Sequence, residues 1–562
     1  MAVAPQIARR PGRARRFLCA TLLVAASCAT PKTEGTDAQA GTGGGGSRGT
    51  GGGAGGMGGA GGTSGGGGTS AGGSPGSGGA TASGGAGGRA GNAGGGSGGA
   101  AGTGGKGGTG TAGAAGAAGA GGVAGAAGAG GVAGMAGAGG APLATAPVWS
   151  WTGVVGTGQS LAVGGQGNAT PTPIGATTQP FHNLKLSLGS VSVPPWPMPV
   201  TTTGLSMVAL VEPLRTITTT YPSAYPKNIY GESVHTAMSD ELTSLATAAG
   251  KSDYVSAHTE VGEAGQPLSV ISKGATDTGT TGRAYAASLF EVGAIAKLAK
   301  AQGKTYGVGA ILLNHGESDA ASTTYESDMV TLWSNYNQDL PPLTGQTFAI
   351  PMLLSQQHSN PTNGGATSPA TIAQWKIGVD HPGQIICTGP KYQYSYVSDF
   401  THLIDKDYER LGEKDAQVYY QRVVLGNDWQ PLQPTGASRS GQVITVTFNV
   451  PHPPLAWDTT LPAPHAASNT AWSQGKGFEV LSGTTPVTIS SVAIAGSSVQ
   501  ITVAGTLPAS GVTVAYAFTA DSAPRANGTI RWGLLHDSDP FVGYLTGLPG
   551  QNYALAFQMT VP

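Results

Sequence analysis

An aspartate–histidine pair and a distant serine carry the chemistry that this sequence suggests most directly. Asp399 lies three residues before His402, within SDFTH at 398–402. On one turn of chain, a carboxylate at this spacing can bond Nδ1 of the imidazole and leave Nε2 free to take a proton from a serine. A single histidine is more often structural, but this pair stands just before the last helix predicted for its domain.

The serine is Ser160, in the segment GTGQSL at 156–161. Its small residues let the chain turn sharply at the carboxyl edge of a parallel sheet, where open α/β folds bind their ligands. The same residues also suit an ordinary strand-to-helix turn in which Ser160 serves as a cap. This segment alone leaves both interpretations open.

A third polar segment, NHGESD at 314–319, follows the apolar run Ile311–Leu313. Polar side chains at the end of a buried strand cost free energy unless they are hydrogen-bonded or used. A solvated loop that caps the next helix is the structural alternative.

Apolar strands that alternate with amphipathic helices must position these segments. The pattern predicts a three-layer α/β/α domain with a mostly parallel sheet over residues 147–427. The predicted strands lie at 154–155, 254–257, 307–313, 348–354 and 384–387, and the predicted helices at 283–300, 325–337 and 405–423.

After Trp429 the pattern changes to short alternating strands separated by Gly, Pro and Ser, at 443–448, 487–494, 499–503 and 512–518. This predicts a C-terminal antiparallel β-sandwich over residues 428–562. Its tryptophans could offer platforms for sugar rings, although aromatic residues in a sandwich are more often core.

Glycine separates the N-terminal part of the chain from these domains. Of the 97 glycines, 53 lie in residues 41–140, a window with almost nothing large enough to bury. Such a segment cannot form a packed core, so residues 28–146 are predicted to be a flexible tether. The net charge of −1 provides no basic footprint for a polyanion, which argues against nucleic-acid binding.

The first residues are typical of an exported protein. Five arginines between 9 and 16 precede a short apolar stretch, Phe17–Ala26, which is too short to span a bilayer. Residues 1–27 are therefore predicted to be a signal peptide. The stretch ends in AASC at 25–28, similar to a bacterial lipobox except that Ala25 replaces the preferred Leu. Cys28 is the expected lipidation site, which places the protein in the cell envelope, at the outer membrane or cell surface. Cleavage near Ser27 and simple secretion is the alternative.

The positions of the cysteines and histidines argue against an internal disulfide and against a metal site. Cys19 leaves with the signal and Cys28 would carry lipid, so Cys387 has no partner for an internal disulfide, and its apolar surroundings predict an inert core thiol. The histidines show no spacing such as H-E-x-x-H, and no metal or other cofactor is expected.

Four motifs in order resemble those of the SGNH, or GDSL-like, hydrolases, and within them the carbohydrate-esterase branch that includes sialate O-acetylesterases and acetylxylan esterases. They are Gly158-Gln159-Ser160, the glycine block at 262–268, Gly316-Glu317-Ser318-Asp319, and Asp399 to His402. The helix sequence YERLG at 408–412 is also similar to the closing helix of that family. The resemblance covers residues 147–427.

The resemblance implies a serine esterase that removes O-acetyl groups from a carbohydrate. Ser160 would be the nucleophile, His402 the base and Asp399 the residue that orients it, with Glu317 as the competing orienter. The backbone N–H groups of Ser160 and Gly265 would form an oxyanion hole. The branch commonly has Gln where this chain has His315, so Asn314, His315 or Ser318 would supply the side-chain donor.

Two other functions remain open on sequence grounds. One is a lipid or polyester esterase on the same scaffold, and the other is a catalytically silent, carbohydrate-binding surface lipoprotein. A conventional α/β-hydrolase is disfavoured, because Gly158-Gln159-Ser160-Leu161-Ala162 lacks the last glycine of G-x-S-x-G and lies at the start of the domain. No protein partner is implied.

Overall fold

The computed structural model describes residues 143–167, 177–187, 204–212, 231–358, 366–466, 468–522, 524–526 and 528–562. All of them belong to one compact unit, Val123–Pro562. The predicted signal peptide, Cys28 and the glycine-rich tether up to residue 142 lie outside these ranges, and the predictions made for them remain predictions.

Strands and helices alternate through the first half of the described chain. The strands are β1 Trp151–Gly158, β2 Leu184–Leu186, β3 Met207–Ala209, β4 Ser256–Glu260, β5 Tyr306–Asn314, β6 Met352–Gln356 and β7 Ile385–Pro390. The helices are α1 Val234–Ala248, α2 Ala284–Ala301, α3 Tyr325–Asp339, α4 Pro341–Thr344, α5 Pro369–Asp380 and α6 Asp405–Tyr419. A 3₁₀ helix, Ser160–Val163, follows β1, and a π-helix, Tyr420–Val424, extends α6.

Within the described residues these strands form one sheet in the order β3-β2-β4-β1-β5-β6-β7. Every neighbouring pair is parallel except β2 and β3. The strand order reverses at β1, with β2 and β4 on one side and β5 to β7 on the other. Open α/β sheets bind ligands at such a reversal, outside the carboxyl ends of the strands.

The sheet is covered on both faces, because successive residues of a strand point in opposite directions. Val154 and Leu312 belong to the core shared with α1 and α6. Val155 and Ile311 belong to the core on the other face, shared with α2, α3 and α5. The predicted three-layer α/β/α architecture is confirmed.

Three helices, α1, α5 and the single-turn α4, were not predicted from the sequence. In α1 an apolar row, Val234, Met238, Leu242 and Ala246, faces the core, but His235, Thr236, Ser239 and Asp240 are buried beside it and obscure the period. In α5 the local signals were present, since Ser368 caps the helix and Pro369 is its first residue.

The predicted strand at 348–354 starts too early, because β6 begins at Met352. The backbone of Ile350 is already engaged by side chains of α3. Its N–H donates to Asn337 Oδ1 at 2.8 Å, and its carbonyl accepts from Trp333 Nε1 at 2.9 Å.

The C-terminal part is built from short strands, as predicted. They are β8 Gln433–Ser440, β9 Val443–Asn449, β10 Ala456–Trp457, β11 Phe478–Ser482, β12 Thr485–Pro486, β13 Ile489–Ala495, β14 Ser498–Val503, β15 Val512–Tyr516, β16 Leu535–His536 and β17 Phe557–Val561. Among the described residues, β12-β11-β15-β17 and β13-β14-β9-β8 form antiparallel sheets.

The two sheets meet through aromatic side chains in their shared core. Phe448 of β9 packs against Phe478 of β11 and Phe557 of β17, with ring centroids 6.3 and 6.0 Å apart. Trp472 and Trp532 are 3% and 5% exposed and belong to this core, so they are not surface platforms. The antiparallel sandwich is confirmed.

The sandwich packs directly on the α/β region. The ring of Trp375 on α5 lies 6.0 Å from that of Phe557, and both belong to the same core. No helix in the described part of the chain is long and apolar enough to cross a bilayer.

Candidate active site

Ser160 lies at a tight turn directly after β1. Gly158 has φ of +147°, and a Cβ at this position would approach the carbonyl oxygen of Asn314 to 2.1 Å, so glycine is required. The N–H of Gln159 donates to the same carbonyl at 3.1 Å. Ser160 then begins the 3₁₀ helix, which ends at Gly164 in the left-handed region. The serine is thereby placed at the carboxyl edge of the sheet.

Asp399 and His402 lie on a turn that β7 leads into. The N–H of Val397 donates to the carbonyl of His402 at 2.9 Å and closes the base of the turn. Inside it, Asp399 Oδ1 accepts from the N–H groups of Thr401 at 2.9 Å and His402 at 3.0 Å. These bonds orient the carboxylate towards the imidazole.

The fold brings this turn to Ser160, 242 residues away in sequence. His402 Nε2 lies 2.7 Å from Ser160 Oγ, and His402 Nδ1 lies 2.7 Å from Asp399 Oδ2. Ser160 is 5% exposed and His402 8%. The three side chains therefore form a continuous hydrogen-bonded row.

The charge of Asp399 determines which nitrogen of His402 carries a proton. Partial burial acts to raise the pKa of Asp399, but the hydrogen bonds and charge of His402 and the N–H of Thr401 outweigh it, so this pKa lies below its ordinary value. An ionised Asp399 accepts a hydrogen bond from Nδ1–H of His402, which leaves Nε2 as an acceptor for the Ser160 hydroxyl.

Gly165 and Gln166 contact the Ser160–His402–Asp399 row, and neither was predicted from the sequence to be part of the site. A Cβ on Gly165 would lie 2.8 Å from His402 Cδ2 and 2.9 Å from Ser160 Cβ, so glycine is needed for the two side chains to meet. Gln166 donates from Nε2 to Asp399 Oδ2 at 2.7 Å. The sequence GGQG at 164–167 is typical of a turn, but nothing local links it to Asp399.

The two carboxylates that the sequence left in competition have different partners. Asp399 contacts His402, whereas Glu317 pairs with Lys391, with Oε1 and Nζ 2.5 Å apart and both side chains almost completely buried. Lys391 directly follows β7 and was not singled out by any motif. It holds the middle polar segment against the start of the segment that carries the Asp399 turn.

The middle polar segment is locked to the serine turn. Gln159 Oε1 accepts from the N–H of Ser318 at 3.0 Å. Gly316, at φ of +131°, leaves room for Gln374, whose Nε2 donates to the His315 carbonyl at 2.8 Å. Gln159 and Gly316 therefore contribute to the shape of the site.

Asn314 and His315 differ in what remains available on their side chains. His315 donates from Nε2 to the Gln266 carbonyl at 3.0 Å and accepts from the Tyr325 hydroxyl at Nδ1 at 2.8 Å. Burial lowers its pKa, which is consistent with a neutral ring. Asn314 is 1% exposed, and among the described residues nothing accepts a hydrogen bond from its Nδ2.

The glycine block lies beside the serine turn. The N–H of Glu263 donates to the carbonyl of Gly158 at 3.0 Å, and Gly265 has φ of +71° within the turn closed by Gln266 N–H and the Glu263 carbonyl. The carboxylate of Glu263 accepts from the N–H groups at 282–284, which fixes the block in place.

Three N–H donors around Ser160 have no acceptor within the described chain. They are the backbone N–H groups of Ser160 and Gly265 and the side-chain amide of Asn314. Asn314 at the end of β5 pairs with Gly158 of β1, and Gly158 lies two residues before Ser160 in the sequence. Ser160 and Asn314 are buried, and Gly265 is exposed. Buried donors are nearly always bonded, so an open set at this edge can receive an oxygen atom of a ligand.

The thiol of Cys387 is unsuited to act as a nucleophile. Cys387 is buried on β7, where burial raises the pKa of its thiol to about 12, as its apolar surroundings predicted. In the same ranges no three His, Cys, Asp or Glu side chains are grouped so that they could hold a metal ion.

Three solved structures resemble this fold distantly. A carbohydrate acetylesterase from Xanthomonas citri matches 73% of this chain and 80% of its own, with 13% identity and a TM-score of 0.44. A protein from Arabidopsis thaliana matches 50% of this chain and 99% of its own, with 16% identity and a TM-score of 0.32. The protein NanS matches 52% and 80%, with 11% identity and a TM-score of 0.24. No protein-family model matches the sequence, and no curated protein matches it.

Proposed function

We propose that this chain is a serine esterase that removes O-acetyl groups from a carbohydrate. The observation that carries the proposal is the row Ser160–His402–Asp399, with both of its hydrogen bonds at 2.7 Å. The row contains a nucleophile, a base and a group that orients the base, which are the parts that acyl transfer to serine needs.

In this mechanism Ser160 Oγ attacks the ester carbonyl while His402 Nε2 takes its proton. The imidazolium is stabilised by Asp399 and then gives the proton to the departing sugar oxygen. A water molecule, activated by the same imidazole, attacks the acyl-enzyme, and its proton returns through His402 to Ser160 Oγ. Acetate leaves, and the side chains regain their starting states.

The negative charge of each tetrahedral intermediate needs donors that are already in place. We assign this role to the N–H groups of Ser160 and Gly265 and to Nδ2 of Asn314. His315 is not suited to it, because both of its ring nitrogens are engaged. Fixed donors in a site with little water stabilise the developing charge without having to reorganise.

The acetyl group and the carbohydrate come from the sequence resemblance, and they can be tested separately from the serine chemistry. We expect the protein to hydrolyse p-nitrophenyl acetate faster than p-nitrophenyl octanoate and to release acetate from acetylated xylan. A preference for octanoate would favour a lipid or polyester esterase. No hydrolysis of any ester would favour a silent binding protein and overturn the proposal.

The Ser160→Ala variant tests whether that activity belongs to this site. We expect kcat to fall by about 10³-fold or more with an unchanged melting temperature, because only the oxyanion donors would remain. Ser327→Ala is the matched control, since Ser327 is an exposed serine on α3. Near-native activity of Ser160→Ala would refute Ser160 as the nucleophile.

We also propose that lipid on Cys28 holds the enzyme at the cell envelope through the glycine-rich tether. As a random coil, about 110 such residues have a root-mean-square reach of about 60 Å. Cys28→Ser should move active protein from the membrane fraction to the soluble fraction without changing turnover of p-nitrophenyl acetate. Unchanged fractionation would favour simple secretion.

A further inference from the structure

The C-terminal β region reaches the predicted catalytic turn through one arginine. Arg525 donates from Nη2 to the carbonyl oxygens of Tyr392 at 2.6 Å and Tyr394 at 2.8 Å, across more than 130 residues of sequence. A guanidinium group is planar and permanently charged, so it fixes the direction of both carbonyls better than a neutral donor would.

The segment that Arg525 holds leads directly into the base of the Asp399–His402 turn. One residue after Tyr394, the carbonyl of Ser395 accepts from the N–H of Ile404 at 3.1 Å, and Tyr396 forms an antiparallel bridge with Leu403. With the bond from Val397 to His402, residues 395–397 and 402–404 make a short two-stranded ladder. The ladder carries Asp399 and His402 at its closed end.

Arg525 is itself held against the α/β region. The hydroxyl of Thr529 donates to the carbonyl of His358, just beyond β6, and the N–H of Ala520 donates to the carbonyl of Ala366 at 2.7 Å. A Cβ on Gly528 would lie 2.5 Å from Cγ and Cζ of Arg525, so this glycine gives the arginine its room. Ala520 and Thr529, on either side of Arg525 in sequence, are thus both anchored to the α/β region.

We propose that Arg525 is a positioning residue, through which the C-terminal β region holds the turn that places His402 against Ser160. The catalytic consequence rests on the esterase function proposed above. Catalysis is sensitive to such positioning, because a displacement of about 1 Å can cost about 10²-fold in rate. The C-terminal region is then a working part of the hydrolase and not an independent module.

The full-length protein with Arg525→Ala tests this proposal. We expect kcat for p-nitrophenyl acetate to fall about 10- to 100-fold while KM changes less than about twofold, since the arginine touches the turn and not the substrate. Arg525→Lys should recover part of the loss, because an ammonium group can still donate to these carbonyls. Gly528→Ala keeps the guanidinium but displaces it, and it should lower kcat in the same direction.

Arg439→Ala is a matched control within the same β region. Arg439 also donates to two backbone carbonyls, those of Pro508 at 2.5 Å and Ala509 at 2.7 Å, but both lie in the β region itself. Its hydrogen bonds are exposed, so Arg439→Ala should lower the melting temperature less than Arg525→Ala and leave kcat unchanged. Equal losses of kcat in the two variants, or a kcat for Arg525→Ala within twofold of wild type, would overturn the proposal.

Hydrogen exchange gives a readout that does not depend on activity. The amides of Val397 and Ile404 should exchange at least about tenfold faster in Arg525→Ala than in Arg439→Ala. If the wild type hydrolyses no ester, the proposed function fails, and this measurement still decides whether Arg525 holds the turn. Equal exchange in the two variants would refute the positioning role.

Discussion

The carboxyl edge of the parallel sheet and the buried cluster around Asp537 contain similar polar groups. They differ in that hydrogen-bond donors at the sheet edge have no acceptors among the described residues, whereas those that surround Asp537 are bonded to its carboxylate. In the cluster, Asp537 Oδ1 accepts from the N–H groups of Asp539 at 3.1 Å and Asn552 at 3.0 Å. Its Oδ2 accepts from His452 N–H at 2.9 Å and Asn552 Nδ2 at 2.8 Å. At the sheet edge, the donors of Ser160, Gly265 and Asn314 lack acceptors in the described chain.

This difference separates polar groups that serve the fold from polar groups that can serve a reaction. Ser160 and Asn314 are as deeply buried as Asp537 and Asn552, so burial alone does not distinguish the two sets. A saturated cluster can only lose hydrogen bonds when it changes, whereas open donors beside a nucleophile can bind a charge that develops during catalysis.

Among the variants that test this comparison, Asp399→Asn is expected to have the largest effect on kcat. An amide holds the imidazole in the wrong tautomer and cannot stabilise the imidazolium, so kcat should fall by about 10³-fold with little change in stability. Steady-state kinetics with p-nitrophenyl acetate measures this. Glu317→Gln should affect stability more than kcat, because its partner is Lys391. A larger loss of kcat in Glu317→Gln than in Asp399→Asn would move the orienting role to Glu317.

Asn314→Ala tests whether an open donor is a catalytic one. Removal of one oxyanion donor should lower kcat by about 10²-fold with KM nearly unchanged. Ser355→Ala is the control, because Ser355 contacts the other side-chain atom of Asn314, donating to Oδ1 at 3.2 Å. An unchanged kcat in Asn314→Ala would mean that only the backbone N–H groups of Ser160 and Gly265 stabilise the oxyanion.

Asp537→Ala should produce the opposite pattern to the active-site variants. It leaves several buried donors without an acceptor, so the free energy of unfolding should fall by about 2–4 kcal/mol. Activity per folded molecule should stay within about twofold of wild type. Denaturant unfolding and active-site titration would separate the two quantities, and a selective loss of kcat would show that the cluster is not merely structural.

The pH dependence of stability is set by buried titratable groups that lie outside the proposed catalytic row. Burial, helped by Glu260, raises the pKa of Glu212 to about 8, and burial raises those of Glu241 to about 8 and Asp415 to about 7. The folded state therefore holds protons that the unfolded chain releases near pH 4.5. Stability should fall as the pH rises from about 4.5 towards 8.

A buried histidine limits this trend on the acidic side. Burial, helped by Lys185, lowers the pKa of His235 to about 3. Below about pH 6.5 the unfolded chain binds a proton that the folded state does not, so the contribution of His235 to stability is lost as the pH falls. Melting temperatures measured from pH 4 to 9 should have their maximum on the mildly acidic side. A maximum above pH 8 would contradict the assignment of protonated buried acids.

The sequence was sufficient to predict the residues whose relations are local. The spacing of Asp399 and His402 predicted a carboxylate beside an imidazole, and the structure places Asp399 Oδ2 2.7 Å from His402 Nδ1. Strands β1 and β4 to β7 and helices α2, α3 and α6 followed from residue periodicity. Helix α1 did not, because polar residues such as His235, Thr236 and Asp240 are buried beside its apolar positions and obscure their period.

The tertiary structure decided which of several suitable groups meet. Nothing in the local sequence showed that Glu317 would pair with Lys391, 74 residues away, or that Gln166 would reach Asp399 across 233 residues. The same holds for Arg525 and the carbonyls of Tyr392 and Tyr394. The physical reason is that local sequence sets the geometry within a turn or strand, whereas partners far apart in the chain are selected by the packing of the whole sheet and its covering layers.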